Sequence, residues 1–359
     1  RLMKDPRKPM FNRTVQASYP PGSVFKLING LIGLQEGVLE PGDAYPCNHG
    51  FPYGNGRNLG CHGHSSPLRL LDAIATSCNG YFCYVFRNVL NNPRYESIQE
   101  AFNKWREYVL SFGFGRKLGS DFPSELGGNI PKSEFYDKIY GKKGWKFTTI
   151  ISLSIGQGEI GATPLQIANL AAIMANRGSY FIPHLVKDSE GVTIDPKYHE
   201  RQYTLIDTSY FHTAVKGMYM AVNGGGSAGG TAFRACLPEL DVCGKTGTAQ
   251  IASGGGYKKG IMHYLISFCG FFPADNPQYT CIVCIQKAGA ASGGLMCGKV
   301  FHEVSEGIMA QSVRRAAVDA KDEAGIPNPN VKSPATVETR KRLMVAAKCA
   351  GANVLILGE

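Results

Sequence analysis

Ser23 and Lys26 are the first residues whose types and spacing indicate chemistry. Residues three apart on a helix share a face, so the Ser23 hydroxyl and the Lys26 amine would lie within reach of each other. The start of a helix favours negative charge developing on the hydroxyl. Apolar neighbours lower the pKa of a lysine amine, and a neutral Lys26 can act as general base for a serine nucleophile. The alternative is that Ser23 only caps the helix while Lys26 extends into solvent.

The second motif, Ser77-Cys78-Asn79, falls between two helical patterns. Side chains in such a break can project into a cleft instead of packing. There the Ser77 hydroxyl can relay a proton, and the Asn79 amide can orient both Lys26 and a substrate carbonyl. The alternative is a helix C-terminal cap in which Asn79 takes the left-handed conformation.

The third motif, Lys245-Thr246-Gly247-Thr248, lies on the first of three strand-like segments. The missing side chain of Gly247 allows a ligand backbone to approach the strand closely. Lys245 and Thr246 offer charge and a hydroxyl donor to a carboxylate. An extended peptide can then pair along this strand edge.

The elements that must hold these motifs follow from hydrophobic periodicity. The apolar helix that begins at Ser23 is expected to be buried, and two further helices flank Ser77. After residue 240 the period changes to two, which predicts three antiparallel strands. An amphipathic helix over 300–318 is expected to cover them. Helices followed by strands and a helix predict an α+β fold.

The order S-x-x-K, S-x-N and K-T-G resembles the transpeptidase domain of class B penicillin-binding proteins. The stretches YPPGSVFK, GQGEIGATPLQIANLAA and VCGKTGTAQ carry the same resemblance. The long loop before Ser77 is closer to the elongation type (penicillin-binding protein 2) than to the division type. The resemblance implies a penicillin-binding/serine β-lactamase-like fold, with a helical part and an antiparallel sheet flanked by helices. It covers about residues 1–318, so we expect a transpeptidase domain over 1–320 and a C-terminal extension of unknown role over 321–359.

The resemblance implies a peptidoglycan D,D-transpeptidase that cross-links stem peptides ending in D-Ala-D-Ala and is acylated by penicillins and other β-lactams. Carboxypeptidase side activity is also possible, and the chemistry requires no cofactor. The residues it assigns to catalysis are Ser23 as nucleophile, Lys26 as base, Ser77 and Asn79 as relay and orienter, and Lys245 in proton transfer. The residues it assigns to substrate binding are Thr246, Gly247 and Thr248. The backbone N–H groups of Ser23 and Thr248 would form the oxyanion hole.

Two other functions remain open for the same motifs. A serine β-lactamase needs a carboxylate that activates the deacylating water, and Glu125 with Asn129 imitates an E-x-x-x-N loop. The glycines and prolines around these residues favour a structural turn instead. A β-lactam sensor domain would be acylated and would signal without turnover, which the GQGEIG segment disfavours.

Three cysteines and one histidine follow the spacing C-x13-C-x2-H-x13-C around the second motif. They are Cys47, Cys61, His64 and Cys78. A Cys₃His set suits tetrahedral zinc, so a structural zinc site is predicted, with His49 and His62 as alternative nitrogen donors. Some elongation-type relatives hold zinc in this region with carboxylates among the ligands, and a cysteine-rich site departs from them. The alternatives are a Cys47–Cys61 disulfide or unpaired thiols. A Cys236–Cys243 bridge is also possible.

Composition limits the partners of this 359-residue chain. Hydrophobic residues form 43% and charged residues 18%, which predicts a globular protein. The net charge of +10 is spread over scattered residues without a nucleic-acid-binding motif, so no nucleic acid is expected. No apolar stretch approaches the roughly 18 residues of a membrane helix. The resemblance implies a domain on the periplasmic face of the inner membrane, with an N-terminal anchor helix absent from this chain, and partners such as the RodA-type glycosyltransferase and the MreC-type scaffold.

Overall fold

The fold of the chain is given by a computed structural model. It describes residues 4–5, 8–186, 188, 191–226, 229–237, 240–251, 263–323 and 352–358, with the last seven and 312–323 described by their backbone. A helical part precedes an antiparallel sheet, which confirms the predicted α+β order. None of the described helices combines the length and apolar composition of a bilayer-spanning segment.

Helix α2 (Lys26–Gln35) forms the centre of the helical part. It follows a 3₁₀ turn, Gly22–Phe25, and its side chains are buried almost all round because apolar residues cover nearly every face. Trp105 donates a hydrogen bond of 2.8 Å to Asn29 of α2, so the buried amide and indole satisfy each other. Other helices of this part are α1 (Arg13–Gln16), α3 (Leu70–Ala75), α4 (Asn79–Leu90), α5 (Ile98–Ser111), α6 (Ser133–Tyr140), α7 (Pro164–Ala175) and α8 (Thr208–Asn223).

Four antiparallel strands form the main sheet in the order β5-β6-β7-β8. Their bounds are β5 (Cys243–Ile251), β6 (His263–Phe272), β7 (Tyr279–Ala288) and β8 (Ala352–Gly358). Strand β5, which carries the third motif, therefore lies at one edge of the described sheet. Two small hairpin-like pairs lie outside it, β1 (Gly50–Pro52) with β2 (Asn58–Gly60) and β3 (Ser179–Tyr180) with β4 (Gln202–Tyr203).

Each face of the sheet packs against a different helix. Helix α9 (Gly293–Glu323) covers one face, where the Phe301 ring meets Phe268 at 4.7 Å and Phe272 at 5.7 Å between centroids. Alternate residues such as Cys269 point to the opposite face and belong to the core shared with the helical part, including α7. The sheet is thus a middle layer, which explains why its strands β6 and β7 are apolar on both sides.

Some elements differ from the sequence-based expectations. Helices α5, α6 and α8 were not predicted from the sequence. Their hydrophobic pattern is diluted by polar residues, although Ser97 caps α5 by accepting from the Glu100 N–H. Helix α9 continues past residue 320, and residues 352–358 pair with β7. The division of the chain at residue 320 stays a prediction.

Truncation of Phe301 tests the packing of α9 on the sheet. We expect Phe301→Ala to lower the free energy of unfolding by about 3–5 kcal/mol, because it removes a fully buried ring and leaves a cavity. Phe233→Ala is the matched control, since Phe233 is 58% exposed and its loss should cost less than about 0.5 kcal/mol. Urea unfolding of both variants measures the difference, and equal effects would contradict this packing.

Candidate active site

The amine of Lys26 is the point at which the first two motifs meet. Its Nζ donates to the Ser77 backbone carbonyl at 2.6 Å, to Ser77 Oγ at 3.3 Å and to Asn79 Oδ1 at 2.5 Å. The side chain is fully buried, which rules out the alternative that it extends into solvent. Three neutral oxygens therefore surround an amine that can donate three hydrogen bonds.

Burial sets the protonation of this amine. It lowers the pKa of Lys26 from its ordinary value to about 8, because the charged form loses its hydration. The thiols of the nearby cysteine cluster act in the opposite direction and raise this pKa. A substantial fraction of Lys26 is consequently neutral near physiological pH, as a general base requires.

Ser23 lies in the 3₁₀ turn that leads into α2, and its carbonyl accepts the Lys26 backbone N–H. This turn packs directly against strand β5. Gly22 has φ +62°, and a Cβ there would lie 2.5 Å from the Thr248 carbonyl oxygen, so only glycine permits both the conformation and the close approach. The two backbone segments predicted to supply the oxyanion hole are therefore neighbours.

The second motif occupies the break between α3 and α4, as predicted. Ser77 has φ +60°, a left-handed conformation that is uncommon for serine. Asn79 is instead the first residue of α4, so the alternative of a left-handed helix cap at Asn79 is wrong, and the left-handed residue is Ser77. The turn at Ser77 directs both its carbonyl and its hydroxyl towards Lys26.

The Asn79 amide is held at both ends. Its Oδ1 accepts from Lys26, while its Nδ2 donates to the Gly60 carbonyl at 2.7 Å. Its backbone N–H donates to Cys61 Sγ at 3.2 Å. Sequence reasoning missed Gly60, because a backbone carbonyl leaves no signature in residue type. The end of β2 thus fixes which way the amide of Asn79 faces.

Lys245 on β5 is the second buried amine of the site. Burial lowers its pKa well below the ordinary value, and the positive charge of Lys26 lowers it further. The Lys245 Nζ donates to the Thr246 carbonyl at 3.3 Å. Because the two amines repel each other when both are charged, a proton on one disfavours a proton on the other.

Gly247 permits a close approach by the protein itself. A Cβ at this position would lie 2.2 Å from Ser267 Oγ on β6 and 3.0 Å from the Pro21 carbonyl oxygen. A side chain here would therefore clash with Ser267 on β6 and with the backbone just before the 3₁₀ turn that carries Ser23. The expected approach of a ligand backbone along the same strand stays a prediction.

The carboxylate of Glu125 has a structural role. It accepts hydrogen bonds from the backbone N–H groups of Leu118, Gly119 and Ser120 and from Ser120 Oγ, at 2.6–3.2 Å. Asn129 donates to the Glu159 carbonyl. A buried carboxylate that already accepts four hydrogen bonds is not free to activate a water molecule, which disfavours the β-lactamase alternative.

The predicted metal-binding residues lie together beside the second motif. The donor atoms of Cys47, Cys61, His64 and Cys78 all lie within 4.8 Å of one another. Tetrahedral zinc with thiolate ligands at about 2.3 Å separates those ligands by about 3.8 Å, so the cluster needs little contraction to hold zinc. The cysteines are free thiols, and the alternative Cys47–Cys61 and Cys236–Cys243 disulfides are not formed.

Hydrogen bonds prepare this cluster for a cation. His64 Nδ1 lies 2.7 Å from the Ser65 carbonyl, which can only accept, so Nδ1 carries the proton. His64 Nε2 then presents a lone pair and lies 3.4 Å from Cys61 Sγ. A hydrogen bond from Cys78 lowers the pKa of Cys61, while the same interaction raises the pKa of Cys78. This donor set fits a zinc ion.

A family model of the penicillin-binding protein transpeptidase domain matches residues 2–306. The chain belongs to this family, which confirms the resemblance and the expected fold. It is 31% identical over 310 residues to the peptidoglycan D,D-transpeptidase MrdA of Haemophilus influenzae, covering 81% of this chain and 45% of that protein. The chain spans about half the length of the curated relatives it matches.

Two solved structures share this architecture. Penicillin-binding protein 2 (PBP2) of Pseudomonas aeruginosa, in complex with WCK 5153, is 27% identical with a TM-score of 0.66, covering 82% of this chain and 62% of that one. PBP2 of Helicobacter pylori, in complex with MreC, is 26% identical with a TM-score of 0.65, covering 85% and 53%. These likenesses agree with the predicted elongation type.

Proposed function

We propose that this chain carries the catalytic domain of a peptidoglycan D,D-transpeptidase whose nucleophile is Ser23. The observation that carries the proposal is the set of three hydrogen bonds around Lys26, which joins the first motif to the second beside the strand of the third. The family membership and the relatives named D,D-transpeptidase support it.

Acylation begins when neutral Lys26 removes the hydroxyl proton of Ser23. The Ser23 oxygen attacks the carbonyl of the penultimate D-Ala, and the backbone N–H groups of Ser23 and Thr248 stabilise the oxyanion. The bond to the terminal D-Ala breaks, and its nitrogen receives a proton from Lys26 through the Ser77 hydroxyl. The products are an ester on Ser23 and free D-Ala, so atoms and charge balance.

An amine of a neighbouring stem peptide completes the reaction. It attacks the ester and loses one proton to the site, and Ser23 regains its hydroxyl. Attack by water in place of the amine gives carboxypeptidase activity. During acylation, Lys245, Thr246 and Thr248 hold the carboxylate of the terminal D-Ala at the sheet edge, and this carboxylate leaves with the free D-Ala before the acceptor amine reacts. Penicillins place a carboxylate and a reactive carbonyl in the same positions and leave Ser23 acylated.

Mass spectrometry after incubation with labelled penicillin tests the nucleophile. We expect one stable adduct on Ser23 and essentially no adduct on Ser23→Ala, since a covalent nucleophile cannot be replaced by a methyl group. The control is Ser209→Ala, which removes an exposed hydroxyl at the start of α8. Rapid loss of the adduct would indicate a β-lactamase. A stable adduct without transfer of a stem-peptide donor to an added amine would indicate a sensor.

The pKa of Lys26 predicts the pH dependence of acylation. Because the neutral amine is the active form, the acylation rate should rise with pH and level off above about 8. Below that value each pH unit should lower the rate about tenfold. Stopped-flow acylation between pH 6 and 9 measures this, with circular dichroism confirming the fold at each pH. Lys26→Arg, which cannot lose its proton, should be inactive throughout, and a flat profile in the wild type would contradict the assignment.

We further propose that Cys47, Cys61, His64 and Cys78 hold a structural zinc ion. Bound zinc would supply a fixed link between the loop containing β1 and β2 and the second motif. Zinc would affect catalysis through the contacts between this loop and Asn79. Cys61 accepts the Asn79 backbone N–H, and the adjacent Gly60 carbonyl accepts the Asn79 side-chain amide. A zinc ion that orders this loop would therefore also orient Asn79, whose Oδ1 accepts a hydrogen bond from Lys26.

Elemental analysis and thermal unfolding test the zinc site. We expect about one zinc per chain, and Cys61→Ser should lose it. If the loss of zinc lowers the free energy of unfolding by about 4 kcal/mol, the Tm of a domain of about 320 residues should fall by about 6 °C. Cys236→Ser is the matched control, because Cys236 is a half-buried thiol outside the cluster. Absence of stoichiometric zinc, with all four residues replaceable without loss of acylation, would refute the site.

The proposed reaction also defines location and partners. Cross-linking of stem peptides takes place outside the inner membrane, so we place the domain in the periplasm, anchored through an N-terminal helix. The structure of Helicobacter pylori PBP2 with MreC supports an MreC-type scaffold as partner. We propose a RodA-type glycosyltransferase as a second partner, because new glycan strands must be supplied for cross-linking.

A further inference from the structure

Thr231, which no motif includes, lies between the second and third motifs. Its backbone N–H and its Oγ1 both donate to the Ala75 carbonyl, at 3.2 and 3.1 Å. Thr246 Oγ1 donates to Thr231 Oγ1 at 3.2 Å. Ala75 is the last residue of α3 and lies two residues before Ser77. One threonine therefore connects the end of α3 with the K-T-G strand.

Counting protons defines the direction of these hydrogen bonds. A carbonyl oxygen can only accept, so the single hydroxyl proton of Thr231 is directed at Ala75. Thr231 Oγ1 can then only accept from Thr246. The hydroxyl proton of Thr246 points away from the substrate side as long as this arrangement lasts.

The hydrogen bonds from Thr246 to Thr231 and from Thr231 to Ala75 can reverse their direction without leaving a buried group unpaired. If the Thr231 hydroxyl turns to donate to Thr246, the Ala75 carbonyl still accepts the Thr231 backbone N–H. Thr246 then directs its own proton at a bound carboxylate. A donor whose oxygen itself accepts a hydrogen bond is polarised and binds an anion more strongly.

Packing keeps the two threonines in place during such a reversal. At the start of α9, a Cβ on Gly294 would lie 1.9 Å from the Thr231 carbonyl oxygen and 3.5 Å from Thr246 Cγ2. The backbone of α9 thus presses on both residues from one side. Rotation of the two hydroxyl protons needs no movement of the heavy atoms.

We infer that Thr231 is a positioning residue for recognition of the substrate carboxylate, acting through a two-threonine relay whose hydrogen bonds reverse when the carboxylate binds. The inference rests on the proposed function, in which Thr246 contacts that carboxylate.

The test compares acylation by benzylpenicillin with acylation by its methyl ester, which lacks the negative charge. We expect Thr231→Val to lower the acid-to-ester ratio of acylation efficiencies about fivefold, the effect of one lost hydrogen bond. Thr231→Ser keeps the hydroxyl and should retain the ratio within about twofold. If Thr231 only held the end of α3 in place, its substitution would lower the acylation efficiencies of both compounds by the same factor. The acid-to-ester ratio would then not change, and the inference would be wrong.

Two controls separate the possible failures. In a Thr246→Val background, Thr231→Val should change the acid-to-ester ratio no further, because residue 246 no longer has a hydroxyl that can donate to the carboxylate. Thr231→Ala replaces Thr231→Val if the valine variant does not fold, with the same loss expected. If the wild type acquires no adduct on Ser23, the proposed function fails. If it is acylated and the ratio is unchanged in the variants, only the relay is refuted.

Discussion

The arrangement of this site depends on burying two amines, Lys26 and Lys245, and the described residues place no carboxylate among the hydrogen-bond acceptors of Lys26. Removing an ammonium group from water costs several kcal/mol, and a neighbouring carboxylate would offset that cost only by keeping the proton on. The chain surrounds Lys26 with neutral oxygens from Ser77 and Asn79 instead. Burial then lowers the pKa of Lys26 to about 8, and the amine can exchange protons. The left-handed turn at Ser77 and the start of α4 at Asn79 serve this one requirement, since they aim the acceptors.

Part of this site could be predicted from residue types. The serine, lysines and asparagine of the three motifs carry their chemistry in side chains, and their order and spacing define the expected family. Strands β5 to β7 were equally predictable, because the hydrophobic period changes to two after residue 240, whereas β1 to β4 and β8 were not predicted. Helices α5, α6 and α8 were not predicted, although α5 buries apolar residues at helical spacing, such as Phe102, Trp105 and Val109, because polar residues stand between those positions. Tertiary contacts, not local propensity, decide such segments.

The contributions that escaped prediction come mostly from backbone atoms and close approaches. The Gly60 carbonyl and the Thr248 backbone act without their side chains, so residue type says nothing about them. Gly247 was expected to make room for a ligand, but its first effect is to let Ser267 approach. Glu125 shows the reverse case. Its type and spacing imitate a catalytic carboxylate, and only its four hydrogen bonds identify it as the centre of a turn.

Cys78 occupies the middle position of the S-x-N motif, which the chemistry leaves open to any residue. In this chain Cys78 has structural contacts of its own. The side chain is fully buried, its sulfur accepts the Tyr81 N–H at the beginning of α4, and it belongs to the cysteine–histidine cluster. Serine would preserve the cap and weaken the cluster, and alanine would lose both. If the proposed zinc is bound, the residue that the motif does not specify would link the geometry around Lys26 to the metal and to the oxidation state of the thiols.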